Sequence, residues 1–154
     1  MNGETAKAPT LLVVDDDPSV LALLERFATD LGFSVVLESS GLAALRSLPT
    51  LRPDGAIVDV RLPDVDGFTL LKEIKASDSR AQVILMTGSA SVHSAVEAIK
   101  AGALDYISKP FDPERLRELL ITVRKRRERR ETPLRLDTDG ARQFEFYGPI
   151  RRRP

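Results

Sequence analysis

The chain has 154 residues, 42% of them hydrophobic and 30% charged, with 23 basic side chains balancing 23 acidic ones and no cysteine. That is enough for one domain with a real core plus an appendage, of ordinary globular composition. Disulfides and thiolate metal sites are excluded, no apolar stretch approaches the roughly 20 residues of a membrane span, and no signal-peptide h-region opens the chain, so a cytoplasmic protein is expected.

Residues 1–8 are polar, and a disordered N-terminus is expected over residues 1–9. Residues 10–14 read as a short buried strand that ends abruptly in Asp15-Asp16-Asp17. Asp17 is suited to an N-cap and Pro18 to the first helical position. Val20, Leu21, Leu23, Leu24, Phe27 and Leu31 keep helical spacing up to Gly32, a natural stop. Residues 33–37 are strand-like, and residues 41–48 form a short helix expected to end before Pro49. A third apolar strand over residues 54–58 delivers Asp59, which a turn-rich stretch, Leu62-Pro63-Asp64-Val65-Asp66-Gly67, follows. Asp64 and Asp66 are read there as turn residues.

Residues 67–76 are amphipathic through Phe68, Leu70, Leu71 and Ile74. Residues 82–86 give a fourth buried strand ending at Thr87, and Val92, Val96 and Ile99 carry a helix to Gly102. The only histidine, His93, sits on a polar stretch of that helix and is read as exposed. Residues 104–107 form a fifth strand before Ser108-Lys109-Pro110, and Pro113 opens a last helix with Leu116, Leu119, Leu120 and Val123 as its stripe.

Five strands alternating with five helices imply a doubly wound (βα)5 α/β fold around a parallel sheet. Right-handed crossovers put every strand's C-terminal end on one edge. Asp15, Asp16, Asp17, Asp59, Thr87 and Lys109 all follow strands, so they can converge there. Two carboxylates about 4 Å apart repel by roughly 4 kcal/mol at an effective dielectric near 20, so the cluster calls for a cation. Magnesium suits it, preferring oxygen ligands and taking one or two carboxylates; Mn2+ is the alternative. With the metal bound, Asp59 can act as a carboxylate nucleophile toward a phosphoryl group, Lys109 supplying positive charge and Thr87 a hydroxyl donor.

These segments, with Ala56-Ile57-Val58-Asp59, Val83-Ile84-Leu85-Met86-Thr87 and Ala103-Leu104-Asp105-Tyr106-Ile107-Ser108-Lys109-Pro110-Phe111, agree in order and spacing with one known pattern. The chain resembles the receiver domain of bacterial two-component response regulators over about residues 10–125, and its segments Asp15-Asp16-Asp17-Pro18 and Leu85-Met86-Thr87-Gly88 look similar to receivers of the nitrogen-regulatory transcriptional type. The resemblance implies a flavodoxin-like sheet of order 2-1-3-4-5 and phosphorylation of Asp59 by a sensor histidine kinase with Mg2+ bound. It implies direct metal ligation by Asp16, Asp59 and the backbone carbonyl of Arg61, with Asp15 acting through the metal's water. Thr87 and Lys109 would bind the phosphoryl group, and Thr87 and Tyr106 would form the switch. Lys109-Pro110 matches a peptide usually cis in such domains. Arg61 and Ser89 match positions that tune phosphoryl lifetime. A downstream effector or output domain is the implied partner, and a homodimer through the fourth helix, fifth strand and fifth helix is a further one.

Residues 1–123 carry 12 basic and 18 acidic side chains, and residues 124–154 carry 11 and 5, so an acidic domain precedes a basic tail. The run 124–131 suits a helix C-terminus, with Glu128 and Glu131 a turn from arginines, so residues 126–154 are read as a basic helix extension ended by Thr132-Pro133 and then a C-terminal tail or linker, rather than a DNA contact. Residues 141–147 alternate like a strand, but nothing after 132 is long enough for a folded output domain. Two other functions compete. A phosphatase of the haloacid-dehalogenase type would use Asp15-x-Asp17 but leave Asp59 unexplained, and a phosphorylation-independent interaction module would not need the full acidic set with Lys109.

Overall fold

The computed structural model describes residues 7–131. Its elements alternate without exception: β1 (Thr10–Val14), α1 (Pro18–Asp30), β2 (Ser34–Glu38), α2 (Gly41–Leu51), β3 (Gly55–Asp59), α3 (Gly67–Ser77), β4 (Gln82–Thr87), α4 (Val92–Lys100), β5 (Asp105–Ser108) and α5 (Pro113–Glu131). All strand pairs are parallel and the order is β2-β1-β3-β4-β5, as expected. The strand-like stretch 141–147 and the rest of the tail after 131 lie outside the described residues, as do residues 1–6.

The two-residue period of a strand divides the core. Leu11, Val13, Ile57, Ile84, Met86 and Ile107 face one side, where α1 packs through Leu21, Leu24 and Ala28 and α5 through Leu116, Leu119, Leu120 and Val123. Their neighbours Leu12, Val14, Ala56, Val58, Val83 and Leu85 face the other side, against Ala44 and Leu48 of α2, Leu70, Leu71 and Ile74 of α3, and Ala98 of α4. The continuous apolar runs are therefore a sheet covered on both faces.

The ordered chain starts before β1. Pro9, within the stretch 1–9 expected to be disordered, is buried and its carbonyl accepts the Ser34 N–H at 2.9 Å. Helix α2 does not end before Pro49 but carries it in its last turn. There the missing N–H forfeits one bond, while Arg52 closes the helix from a left-handed conformation (φ 49°), its N–H donating to Leu48 O. Leu51, packed on the second core cluster, holds that last turn down. Helix α5 crosses residue 125 without a break. Three arginines of its basic run reach the opposite edge of the sheet from the acidic cluster: Arg124 donates to Leu31 O, Arg126 to Gln82 Oε1, and Arg127 pairs with Asp54.

Candidate functional site

Parallel pairing fixes where the strands end. Asp59 closes β3 opposite Met86, and Thr87 closes β4 opposite Ser108. Two backbone bonds continue the ladder past the sheet: Val60 N–H to Met86 O at 2.9 Å and Lys109 N–H to Thr87 O at 2.7 Å. Asp15 takes the position after β1, its N–H donating to Glu38 O. The Lys109–Pro110 peptide is cis, as expected.

Asp15, Asp59 and Thr87 are buried, at 2%, 5% and 1% exposure, whereas Asp16 faces solvent. Ligand oxygens of Asp15, Asp16 and Asp59 all lie within 4.8 Å of one another. Lys109 bridges two of them, its Nζ standing 2.8 Å from Asp15 Oδ2 and 3.3 Å from Asp59 Oδ2. The remaining oxygens take backbone donors: Asp17 N–H reaches Asp15 Oδ1 at 2.9 Å, and Arg61 N–H reaches Asp59 Oδ1 at 3.1 Å.

Burial raises the Asp59 carboxyl above its ordinary value; the Arg61 N–H opposes this, the Asp15 charge adds to it, and Lys109 again opposes it. Burial alone would lower Lys109, but its hydrogen bond to Asp15 and the charges of Asp15 and Asp59 outweigh that and hold it above its ordinary value. One ammonium among three carboxylates leaves the cluster short of positive charge. An all-oxygen donor set of this size fits a hard divalent cation such as Mg2+.

The other residues singled out lie around this cluster. Asp17 caps α1, accepting from the Ser19 N–H at 2.9 Å and the Ser19 hydroxyl at 2.7 Å, so it stands outside the metal-type cluster. Those bonds hold its carboxyl below the usual range, the Ser19 side chain foremost. Thr87 Oγ1 accepts the Ser89 N–H at 3.1 Å, a bond that uses a lone pair and not the hydroxyl proton. Tyr106 sits on the α3–α4 side of the sheet, its hydroxyl donating to Ser94 Oγ at 2.8 Å. Its ring lies 6.4 Å from that of Phe68, tilted by 43°. His93 is exposed, as read from the sequence.

Asp64 does more than turn the chain. Its carboxylate accepts the N–H groups of Gly41 and Leu42, at 3.0 and 2.9 Å, and so caps α2 from the loop that carries Arg61. Those backbone donors, Leu42 foremost, pull its pKa down. Pairing across 23 residues leaves no local pattern, so only the fold reveals it.

With this geometry in view, residues 11–121 match the response regulator receiver domain family. The chain is 41% identical over 138 residues to the transcriptional regulatory protein ZraR of Salmonella typhimurium, covering 90% of this chain and 31% of that protein. It is 43% identical over 100 residues to the DNA-binding transcriptional regulator NtrC of Klebsiella pneumoniae, covering 65% of this chain and 21% of that one. This chain thus spans less than a third of the length of either relative. Among solved structures, it resembles the signal receiver domain of a Luxo repressor protein from Vibrio parahaemolyticus, with a TM-score of 0.75 at 29% identity, covering 81% of this chain and 96% of that one.

Proposed function

The chain belongs to the response regulator receiver family, and on that premise we propose that Asp59 accepts a phosphoryl group from the phosphohistidine of a sensor histidine kinase. The observation that carries this is the single ammonium of Lys109 shared by two buried carboxylates at 2.8 and 3.3 Å, beside an exposed third one. In the transfer, an Asp59 oxygen forms the new P–O bond while the P–N bond to the imidazole breaks, its electron pair staying on the ring nitrogen. Lys109 turns part of its charge from the carboxylates to the incoming phosphoryl oxygens. Thr87 donates its hydroxyl to one of them. Tyr106 then changes packing with Thr87, a shift of population rather than of fold.

Asp16, Asp59 and the Arg61 carbonyl would hold Mg2+, or Mn2+ in its place, with Asp15 acting through the metal's water. The bound ion supplies charge neutralisation at the phosphoryl oxygens. The chain is a signalling module that catalyses only its own phosphorylation and dephosphorylation. Residues 10–125 form the receiver in this reading, and residues 126–154, which begin as the extension of α5 to Glu131, serve as a tail or linker to an output domain or effector.

Two surfaces support partner contact. An apolar groove of about 520 Å³, lined by Val20, Leu23, Phe27, Met86 and Phe111, opens beside Lys109 on the α1 side and suits a protein phosphodonor. On α4, Val92, Val96 and Ile99 are 82%, 45% and 52% exposed at helical spacing, an apolar stripe fit for a second copy or an effector. Among the described residues, no helix is long and apolar enough to cross a membrane.

Mass spectrometry after incubation with acetyl phosphate tests the central claim. A gain of one phosphoryl group that needs Mg2+, is labile to base and disappears in Asp59→Asn is expected. Equal labelling of the Asp59→Asn variant removes Asp59 as acceptor.

A further inference from the structure

The Tyr106 hydroxyl ends in a particular place. It donates at 2.8 Å to Ser94 Oγ, and Ser94 belongs to the capping box of α4. In that box the Ser94 N–H donates to Ser91 Oγ at 3.1 Å and the Ser91 N–H donates to Ser94 Oγ at 3.3 Å. The two hydroxyl oxygens are 2.8 Å apart. A serine oxygen has two lone pairs and one proton. Here Tyr106 and the Ser91 N–H use the lone pairs, and the proton has Ser91 O or Oγ to go to. Departure of the Tyr106 ring therefore takes away one of the two donors that Ser94 Oγ accepts here.

We propose that Ser94 is a positioning residue that holds Tyr106 in its unphosphorylated packing and ties it to the first turn of α4. Movement of the ring toward Thr87 must break the Tyr106–Ser94 bond and leaves the capping box with an open acceptor. The state of the phosphoryl site is therefore read at the N-terminus of α4, next to the exposed Val92 and Val96. The stripe that would meet a partner begins in the very turn whose capping changes. A net hydrogen bond of ordinary strength biases the two packings by roughly two- to twelvefold. This inference rests on the switch reading above and adds the restraint that sets its resting position.

Titration with beryllofluoride and Mg2+, a phosphoryl mimic, reads that bias. Ser94→Ala should lower the apparent Kd by roughly two- to twelvefold, and Ser94→Thr, which keeps the hydroxyl, should return it to the wild-type value. In a Tyr106→Phe background Ser94→Ala should change nothing, because the bond is already gone. An equal effect in both backgrounds would mean that Ser94 acts through the helix cap alone, and the proposal falls. The wild type failing to bind beryllofluoride would instead sink the phosphoacceptor reading. The ligand-free protein separates the two: with ring-labelled tyrosine, Ser94→Ala should move the Tyr106 NMR resonance and Ser94→Thr restore it. An unmoved resonance overturns the role of Ser94 whatever the site binds.

Discussion

Replacing Asp59 with asparagine should make the metal-free protein more stable. Asp59 meets the Lys109 ammonium at 3.3 Å and the Asp15 carboxylate within 4.8 Å. At an effective dielectric near 20, these give an attraction of about 5 kcal/mol and a repulsion of about 3.5 kcal/mol. A quarter of the Lys109 side chain is open to water, which weakens the attraction until the two nearly cancel. What remains is the burial of a charge at 5% exposure, the leading cause of its raised pKa. For an ion that keeps one backbone donor, that is about 1–2 kcal/mol against folding. The sign follows from linkage. The folded carboxyl keeps its proton above the ordinary value of 3.8, where the unfolded chain has lost it, so stability falls as pH rises through the folded value. Asp59→Asn should therefore match the wild type below about pH 3.8 and exceed it at neutral pH by about 1–2 kcal/mol, or a few degrees in Tm. Urea unfolding in EDTA across this range is the assay, and saturating Mg2+ should narrow or reverse the gap by stabilising only the wild type. A variant less stable than the wild type in EDTA at neutral pH would refute the reasoning.

The opposite edge of the sheet gives the contrasting case. Arg127→Ala removes an ion pair whose side chains are 12% and 10% exposed, and should cost about 2–3 kcal/mol in urea unfolding. The exposed neighbour Lys125→Ala should change stability by less than about 0.5 kcal/mol. Gly67→Ala would place a Cβ 2.5 Å from Asp59 O and 2.6 Å from Val60 Cα, both backbone atoms that cannot step aside. It should cost about 1–3 kcal/mol and slow labelling by acetyl phosphate, because relief of the clash displaces Asp59. Asp64→Ala uncaps α2 from a distance and should cost about 1 kcal/mol, seen as faster hydrogen exchange at the Gly41 and Leu42 amides, while helix α1 stays protected.

The cluster was legible because each member follows an apolar run. In a parallel sheet the residue after a buried strand lies on the C-terminal edge, so short-range pattern alone brings Asp15, Asp59, Thr87 and Lys109 together. Features set by contacts between distant elements left no such trace. Pro49 reads locally as a stop, yet the cap at Arg52 and the packing of Leu51 carry α2 past it. Asp64 reads as one more turn residue, since its partners lie 22 and 23 positions away. Asp17 stands in a triplet with Asp15 and Asp16, but Pro18 after it already marks it as a cap, and its bonds to Ser19 bear that out. Ser94 carried no signal at all, because its role depends on a tyrosine 12 residues on.

The charge asymmetry of the chain takes on a different meaning once the contacts are known. From the sequence, the basic run after residue 123 reads as a helix C-terminus whose arginines pair with Glu128 and Glu131 along the helix. Instead Arg124, Arg126 and Arg127 reach Leu31 O, Gln82 and Asp54, at the starts or approaches of β2, β4 and β3. Asp54 also accepts the Thr10 N–H at 2.8 Å, so one buried carboxylate joins β1, β3 and α5. The sheet thus carries opposite electrostatics on its two edges. On one, carboxylates outnumber the single ammonium beside them. On the other, guanidinium groups fasten the last helix against the sheet. The helix that leads toward the tail is held to the strands by these contacts.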